Sequence, residues 1–183
     1  MKLVVFGASN SKKSKNRRFA NWAASQTGLD YELLDLNDYE MTVFSVDKEA
    51  ESGIPQLAHD FRNKLKEANG IIISFAEYNG AYTSAFKNIF DWFSRIGNPR
   101  WLDKPMLLLS TSPGKRGAAT ALDVAVRTFP HQGGKVVDHF SLPSFNENFD
   151  DEKGIVNQEL LNEFSPKLEK FVGEVQSELA SES

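Results

Sequence analysis

The feature that most limits the fold of this chain is a fivefold alternation between short aliphatic runs and segments of helical periodicity. Continuous apolar runs of four to eight residues are typical of strands buried on both faces. The five predicted strands are residues 3–6, 31–36, 71–76, 105–110 and 135–142, of which the first, third and fourth are almost entirely apolar. Because helical segments alternate with these runs, the order predicts an α/β fold in which helices cover both faces of a parallel sheet.

The helices are predicted from apolar residues that recur at i, i+3, i+4 and i+7. The helical stripes are Phe19, Trp22, Ala23 and Gln26; Leu57, Phe61, Leu65 and Ala68; Phe86, Ile89, Phe90 and Phe93; and Ala118, Ala121, Leu122, Ala125 and Phe129. A last helix is predicted from about Asn157, with Pro166 either kinking it or beginning a second segment. Residues 37–54 show no clean period, so we expect an extended excursion over the surface there.

The length of the chain predicts one domain over residues 1–183, with a complete hydrophobic core. No internal repeat or change in composition marks a domain boundary. We expect residues 177–183 to form a frayed tail. The first apolar run is too short for a signal peptide, and no stretch approaches the ~20 apolar residues that cross a bilayer, so a cytoplasmic location is expected.

The charge distribution suggests a small anionic ligand. A formal net charge of −4 argues against a general nucleic-acid binder. Residues 12–18 nevertheless hold five basic side chains, and residues 114–116 hold two more. A solvated charged surface is the alternative interpretation of these clusters. The absence of cysteine excludes thiolate nucleophiles, and the three scattered histidines show no metal-ligand spacing, so we expect no metal site.

The loop after the first strand, residues 7–16, has the composition of an anion site. Ligands of a parallel sheet bind outside the carboxyl ends of the strands. In this loop Gly7 permits a tight turn, and hydroxyl or amide groups come from Ser9, Ser11, Ser14 and Asn16. With the N–H groups of the following helix they predict a phosphate cradle, although an unliganded serine-rich cap is the alternative. The loop matches neither the P-loop nor the G-x-G-x-x-G pattern.

The loops after the third and fourth strands are also polar. Residues 77–84, "EYNGAYTS", place an Asn-Gly turn signal between a strand and a helix. Residues 110–118, "STSPGKRGA", place three hydroxyls and a Pro-Gly turn signal at the end of the next strand. Each signal is modest alone, but loops at the carboxyl edge of one sheet are expected to lie together.

Together, the three loops resemble those of the NADPH-dependent FMN reductase family of flavodoxin-like proteins, which includes quinone, azo-dye and metal-oxyanion reductases. The resemblance covers most of the chain and is weakest in residues 37–54 and 145–183. It rests on elements like G-S-x-R-x-x-S-x-N, P-E-Y-N-x-x-x-P-x-x-x-K-N-x-x-D-W and S-x-S-x-G-x-x-G. The middle element is the most specific, and the chain keeps it at Glu77, Tyr78, Asn79, Gly80, Lys87, Asn88, Asp91 and Trp92.

The resemblance implies a flavodoxin-like three-layer αβα sandwich whose five-stranded parallel sheet has the order 2-1-3-4-5. It also implies non-covalent FMN, with NADPH or NADH as co-substrate. By resemblance, Ser9, Ser11, Ser14 and Asn16 surround the FMN phosphate. Glu77, Tyr78, Asn79 and Gly80 then border the ribityl chain and one edge of the flavin ring, and Ser110, Ser112 and Gly114 approach its other side.

The chain departs from the family pattern at three positions. Ser11 stands where the family usually has an arginine, which removes a bidentate phosphate contact. Ala76 and Ser84 stand where prolines are usual. The basic residues that could replace the missing arginine charge are Lys12, Lys13, Arg17, Lys115 and Arg116.

The function that follows is hydride transfer from NAD(P)H to FMN and then to an electron acceptor such as a quinone, an azo compound, free flavin or an oxyanion. The cofactor carries this chemistry, so no catalytic side chain is predicted. One alternative is a flavodoxin-type electron carrier. Another is a flavodoxin-like module without flavin that binds an anion or a partner. No motif in the sequence specifies the acceptor or the choice between NADPH and NADH.

Trp92 suggests a subunit interface. On a helical wheel it lies away from the phenylalanine stripe of its helix, and Trp101 follows closely. Coverage by the chain's own residues 95–103 is the alternative. With the family resemblance, this pattern predicts a homodimer, with a tetramer as the alternative.

Overall fold

The computed structural model describes residues 1–182 and contains the expected five-stranded parallel sheet. The strands in chain order are β1 (Lys2–Ala8), β2 (Asp30–Leu34), β3 (Gly70–Phe75), β4 (Glu77–Tyr78), β5 (Ala81–Tyr82), β6 (Lys104–Thr111), β7 (Gly134–Leu142), β8 (Phe149–Asp150) and β9 (Gly154–Ile155). The central sheet has the order β2-β1-β3-β6-β7. This is the predicted order 2-1-3-4-5, because β4–β5 and β8–β9 form separate two-stranded ribbons.

Helices cover both faces of the sheet. They are α1 (Lys15–Ser25), α2 (Val46–Ser52), α3 (Gln56–Glu67), α4 (Ser84–Phe93), α5 (Ala119–Thr128), α6 (Phe145–Asn148) and α7 (Gln158–Glu182). Alternate residues of β1 point to opposite faces, as the pleat requires. Leu3 and Val5 join a core formed with α1 and α7, whereas Val4 and Phe6 join one formed with α3, α4 and α5. The predicted three-layer αβα sandwich is therefore confirmed.

Gly7 brings α1 close to the sheet. The sequence suggests a tight turn at this glycine, but Gly7 is a residue of β1 and pairs with Ser74 of β3. A β-carbon on Gly7 would lie 2.7 Å from the Cα of Arg17 in α1. Glycine is therefore required for close packing of the helix, and this packing directs the N-terminus of α1 to the carboxyl edge of the sheet.

The segment over residues 37–54 is more regular than expected. It contains a 3₁₀ turn at Leu36–Tyr39 and the helix α2, whose N-terminus is capped by Ser45. The segment is attached to α4, where the Asn88 side chain donates to the carbonyls of Met41 and Thr42 at 3.1 Å. Helix α2 has no buried residue, which explains why no apolar period marks it in the sequence.

Trp92 is a core residue, and the interface predicted from it is wrong. Its side chain is only 1% exposed, and its indole N–H donates to the carbonyl of Thr42 at 2.8 Å. Phe44 packs edge-on against the indole with 5.0 Å between ring centroids. Trp101 is also buried, against Phe129. The segment that covers Trp92 comes from far upstream, so a helical wheel of α4 alone does not reveal it.

The C-terminal helix is continuous and longer than expected. Pro166 lies inside α7, so it begins no second helix. A frayed tail is expected over residues 177–183, but residues 177–182 are helical. Ser183 lies outside the described residues. An ion pair of 2.6 Å between Lys135 and Glu178 connects this end to the edge strand β7. Within the described part of the chain, no helix has the length and apolar character needed to cross a bilayer.

Candidate active site

The three polar loops meet at a cavity of about 220 Å³ at the carboxyl edge of the sheet. The lining includes these residues predicted from the sequence: Ser9, Ser11, Ser14, Asn16, Glu77, Tyr78 and Ser112. Asn79, Gly80, Ser110 and Gly114 belong to the same loops but do not line the cavity. The lining also includes Lys15, Thr111 and Pro113, which were not predicted as site residues.

The first loop forms a cradle of hydrogen-bond donors. The hydroxyl oxygen of Ser9 accepts the N–H of Ser11 at 3.2 Å, and that of Ser14 accepts the N–H of Arg17 at 3.1 Å as the N-cap of α1. Each hydroxyl keeps its own hydrogen for another acceptor. The first turn of α1 holds no acidic residue. Hydroxyls beside a helix N-terminus are a donor set that fits a phosphate group.

Asn16 joins the first loop to the third. It is 4% exposed, and its side-chain amide donates to the carbonyl of Thr111 at 3.0 Å. Its amide oxygen accepts the N–H of Thr111 at 3.0 Å and the hydroxyl of Ser74 at 2.7 Å. Although Asn16 borders the cavity, these bonds occupy both ends of its amide. Its main contribution is therefore to hold the start of α1 against β3 and β6.

The middle loop is a β-hairpin, where the sequence suggests only a turn from strand to helix. Asn79 and Gly80 have φ angles of 53° and 74° and connect β4 to β5. Positive φ at two successive residues is the geometry of a two-residue hairpin turn, which Asn-Gly favours. The hairpin leaves Tyr78 55% exposed beside the cavity. An exposed aromatic ring at this place can lie against a planar ligand.

The far side of the hairpin is anchored in the core. Tyr82 stacks on Phe75 with 5.4 Å between ring centroids and meets Phe86 edge-on at 5.2 Å. Burial raises the pKa of Tyr82 to about 12, so this phenol is neutral at physiological pH. Thr83 caps α4 and donates its hydroxyl to the carbonyl of Ala8 at 2.9 Å. The hairpin is thus fixed on the end of β1.

Glu77 caps a helix on the other side of the cavity. Its carboxylate accepts the N–H of Ala121, in the first turn of α5, at 3.1 Å. The N-cap residue of α5 is Ala118, which has no side-chain oxygen and a φ of 63°. Helix N-termini leave unpaired N–H groups and carry partial positive charge, so a carboxylate from a neighbouring loop is a suitable cap.

Replacing Glu77 with alanine is expected to lower the free energy of unfolding by about 1 kcal/mol, as for loss of an N-cap. Glu77→Gln keeps an oxygen acceptor and loses only the charge, so its effect is expected to be smaller. Urea unfolding measures both variants. The control is Glu163→Ala, which removes an exposed carboxylate from α7. Equal effects at the two positions would contradict the capping role.

The third loop is held by a hydrogen bond within it and by hydrogen bonds to residues 144 and 145. Ser110 is fully buried and donates to the carbonyl of Gly117 at 2.7 Å, which closes the loop. The carbonyl of Gly114 accepts the N–H of Ser144 at 3.0 Å, and that of Ser112 accepts the N–H of Phe145 at 2.9 Å. Ser110 and Gly114 therefore shape the loop, while Ser112 reaches the cavity.

The second half of the middle element lies away from the cavity. Lys87 and Asp91 form an ion pair of 2.7 Å on the surface of α4. Asn88 and Trp92 hold residues 41–44, as described above. Among residues 1–182, no group of three or more His, Asp or Glu side chains could hold a metal ion.

The chain is similar to a family of flavin reductases and to individual quinone reductases. A family model described as NADPH-dependent FMN reductase matches residues 1–169. A 2-hydroxy-1,4-benzoquinone reductase from Burkholderia sp is 30% identical over 122 residues, which are 66% of this chain and 66% of that protein. An NADPH:quinone oxidoreductase from Arabidopsis thaliana is 34% identical over 93 residues, which are 51% of this chain and 46% of that protein. The matched segments thus span less than two thirds of these two relatives.

Solved structures share the fold over nearly the whole chain. The flavoenzyme NAD(P)H:(acceptor) oxidoreductase FerB from Paracoccus denitrificans superposes with a TM-score of 0.75 at 20% identity, covering 96% of this chain and 97% of that one. The family match extends over all three loops that meet at the cavity. The chain therefore belongs to the NADPH-dependent FMN reductase family.

Proposed function

We propose that the protein is an FMN-dependent NAD(P)H oxidoreductase that reduces a quinone or azo compound. The observation that carries this proposal is the meeting of a phosphate-type cradle, an exposed tyrosine and a hydroxyl-bearing loop at one cavity. The names of relatives support the acceptor class, since they include quinone reductases and an NADPH azoreductase from Bacillus sp..

The residues present fit FMN. Ser9, Ser11 and Ser14, with the N-terminus of α1, would hold the phosphate through hydroxyl and N–H donors. Tyr78 and Ser112 would border the ring from the middle and third loops. When bound, FMN supplies the hydride chemistry, so the chain needs no nucleophile of its own.

Other residues position these groups. Asn16 holds the first and third loops together, and Glu77 joins the hairpin to α5. Neither requires a proton transfer for this role. The protein's contribution to catalysis is then binding, orientation and control of the charge around the ring.

Purified protein is expected to be yellow, or to become so with added FMN, and to oxidise NADPH when a benzoquinone is supplied. An absorption spectrum and the loss of nicotinamide absorbance measure this. Stopped-flow mixing with NADPH separates an oxidoreductase from an electron carrier, because a carrier is not reduced directly at a useful rate. Colourless protein that does not bind added FMN would contradict the proposal.

We further propose one flavodoxin-like domain over the whole chain, a cytoplasmic location beside the NAD(P)H pool, and a homodimer. The dimer is supported by the family resemblance and by exposed apolar side chains on two neighbouring elements, Tyr78 of the hairpin and Val124 of α5. Light scattering tests the dimer, which should have twice the 20.5 kDa mass of the chain. A tetramer would have a correspondingly larger mass.

A further inference from the structure

We infer that Lys13 and Lys15 supply the positive charge that binds the phosphate of FMN, in place of the arginine replaced by Ser11. The inference rests on the proposed function, since it assumes that FMN occupies the cavity. Its basis is the placement of the basic residues in and around the first loop. Lys13 and Lys15 line the cavity, and the other basic residues of these loops do not.

Three basic residues of the cluster over residues 12–18 are directed elsewhere. The Nε of Arg17 lies 4.0 Å from a carboxylate oxygen of Asp35, and that of Arg18 lies 2.6 Å from Asp151. Lys12 lines a smaller recess of about 110 Å³ together with Lys13 and both arginines, but unlike Lys13 it does not also line the main cavity. These residues are therefore poor substitutes for an arginine that points at the phosphate.

The basic residues of the third loop do not line the cavity either. Lys115 and Arg116 are exposed, and Arg116 donates to the hydroxyl of Thr120 at 2.8 Å. Of the residues considered as replacements from sequence alone, Lys13 is the one that borders the cavity. Lys15, from the same basic cluster, borders the cavity as well.

Lys13 and Lys15 both line the cavity and are electrically uncompensated. Throughout the described chain, neither ammonium has a carboxylate within ion-pair distance. The ammonium of Lys15 lies 6.0 Å from the ring centre of Phe145. The carboxylate in the lining belongs to Glu77 and is bonded to the N-terminus of α5. The cavity thus has unpaired positive charge beside its hydroxyl donors.

The chemistry of lysine suits this task in a different way from that of arginine. An arginine contacts phosphate through a planar fork, whereas a lysine ammonium acts as a compact point charge with three donors. Lys13 lies next to Ser14, the N-cap of α1, and Lys15 is the first residue of that helix. Two point charges there add to the field of the helix N-terminus, so they should favour a phosphorylated flavin over riboflavin.

The test compares FMN and riboflavin binding to full-length wild type, Lys13→Gln, Lys15→Gln and the double variant by flavin fluorescence titration. Each single substitution is expected to weaken FMN binding about tenfold, as for loss of one hydrogen bond to a charged group. Riboflavin binding should not change, because riboflavin has no phosphate. Lys12→Gln is the matched control, since it removes the same charge from the same loop outside the cavity.

Salt provides a second measurement. In ~1 M salt, where the Debye length is about 3 Å, the difference in FMN affinity between wild type and the double variant should shrink. Equal FMN affinity of the wild type and the double variant at low salt would overturn this inference and leave the proposed function intact. Equal weakening of FMN and riboflavin would also overturn it. Wild-type protein that binds neither flavin would overturn the inference and the proposed function together.

Discussion

Replacing Asn16 with alanine is expected to lower the free energy of unfolding by about 3 kcal/mol, which is a large effect for a single polar side chain. The change removes three hydrogen bonds between buried partners. It leaves the N–H and carbonyl of Thr111 and the hydroxyl of Ser74 without their partner inside the protein. Buried polar groups without partners are costly, and this cost is much larger than the benefit of alanine for helix propensity.

Urea unfolding monitored by circular dichroism measures this change. The matched control is Asn21→Ala in the same helix, where the amide oxygen accepts one hydrogen bond from the hydroxyl of Tyr31 at 3.1 Å in a partly buried place. In the control variant, the free energy of unfolding is expected to fall by less than about 1 kcal/mol. If the two variants lost the same stability, Asn16 would not be the junction between the first and third loops.

Replacing Trp92 with alanine is expected to lower the free energy of unfolding by about 4 kcal/mol, because it leaves a cavity the size of an indole in the core. The substitution also removes the hydrogen bond to Thr42 and the ring contact with Phe44. Residues 41–44 should then be held to α4 mainly by Asn88. Trp92→Phe keeps an aromatic ring but removes the N–H donor. Beyond the cost of the smaller ring, the lost hydrogen bond is therefore expected to lower the free energy of unfolding by only about 1 kcal/mol.

Chemical denaturation and light scattering together distinguish a core residue from an interface residue. As a core residue, Trp92 affects the stability of the chain, and Trp92→Phe should leave the particle mass of wild type unchanged. Amide hydrogen exchange should increase over residues 41–49 in the alanine variant. If a Trp92 variant had half the particle mass of the wild type and the same stability, Trp92 would lie at an interface between subunits. That result would disagree with the burial of Trp92 within the chain.

The middle of the central sheet could be predicted because its strands β1, β3 and β6 are mainly runs of apolar residues. Burial of β3 and β6 on both faces requires aliphatic side chains at nearly every position, and few other structures show that pattern. The hairpin β4–β5 could not be read in the same way. Its strands have only two residues each, so no alternation is visible, and Asn-Gly is compatible with several turns.

The loops of the site were predicted more successfully than the roles of their side chains. Ser9, Asn16 and Glu77 are all short or polar residues near the carboxyl edge, and composition alone does not distinguish a ligand contact from a structural contact. The distinction depends on partners far away in the sequence. Asn16 bonds to Thr111, 95 positions away, and Glu77 bonds to Ala121, 44 positions away. Such pairings become visible only once the strands are assembled.

The bond between Asn16 and Thr111 also has a consequence for ligand selection. It makes the hydroxyl cradle and the third loop parts of one rigid frame, with a separation determined by the strands β1, β3 and β6. A ligand that touches both finds them already at their final distance, so little conformational entropy is lost when it binds. The protein should therefore discriminate between ligands by the length of the linker that joins their anionic group to their aromatic ring. Molecules with the right groups at the wrong separation should bind through one end only.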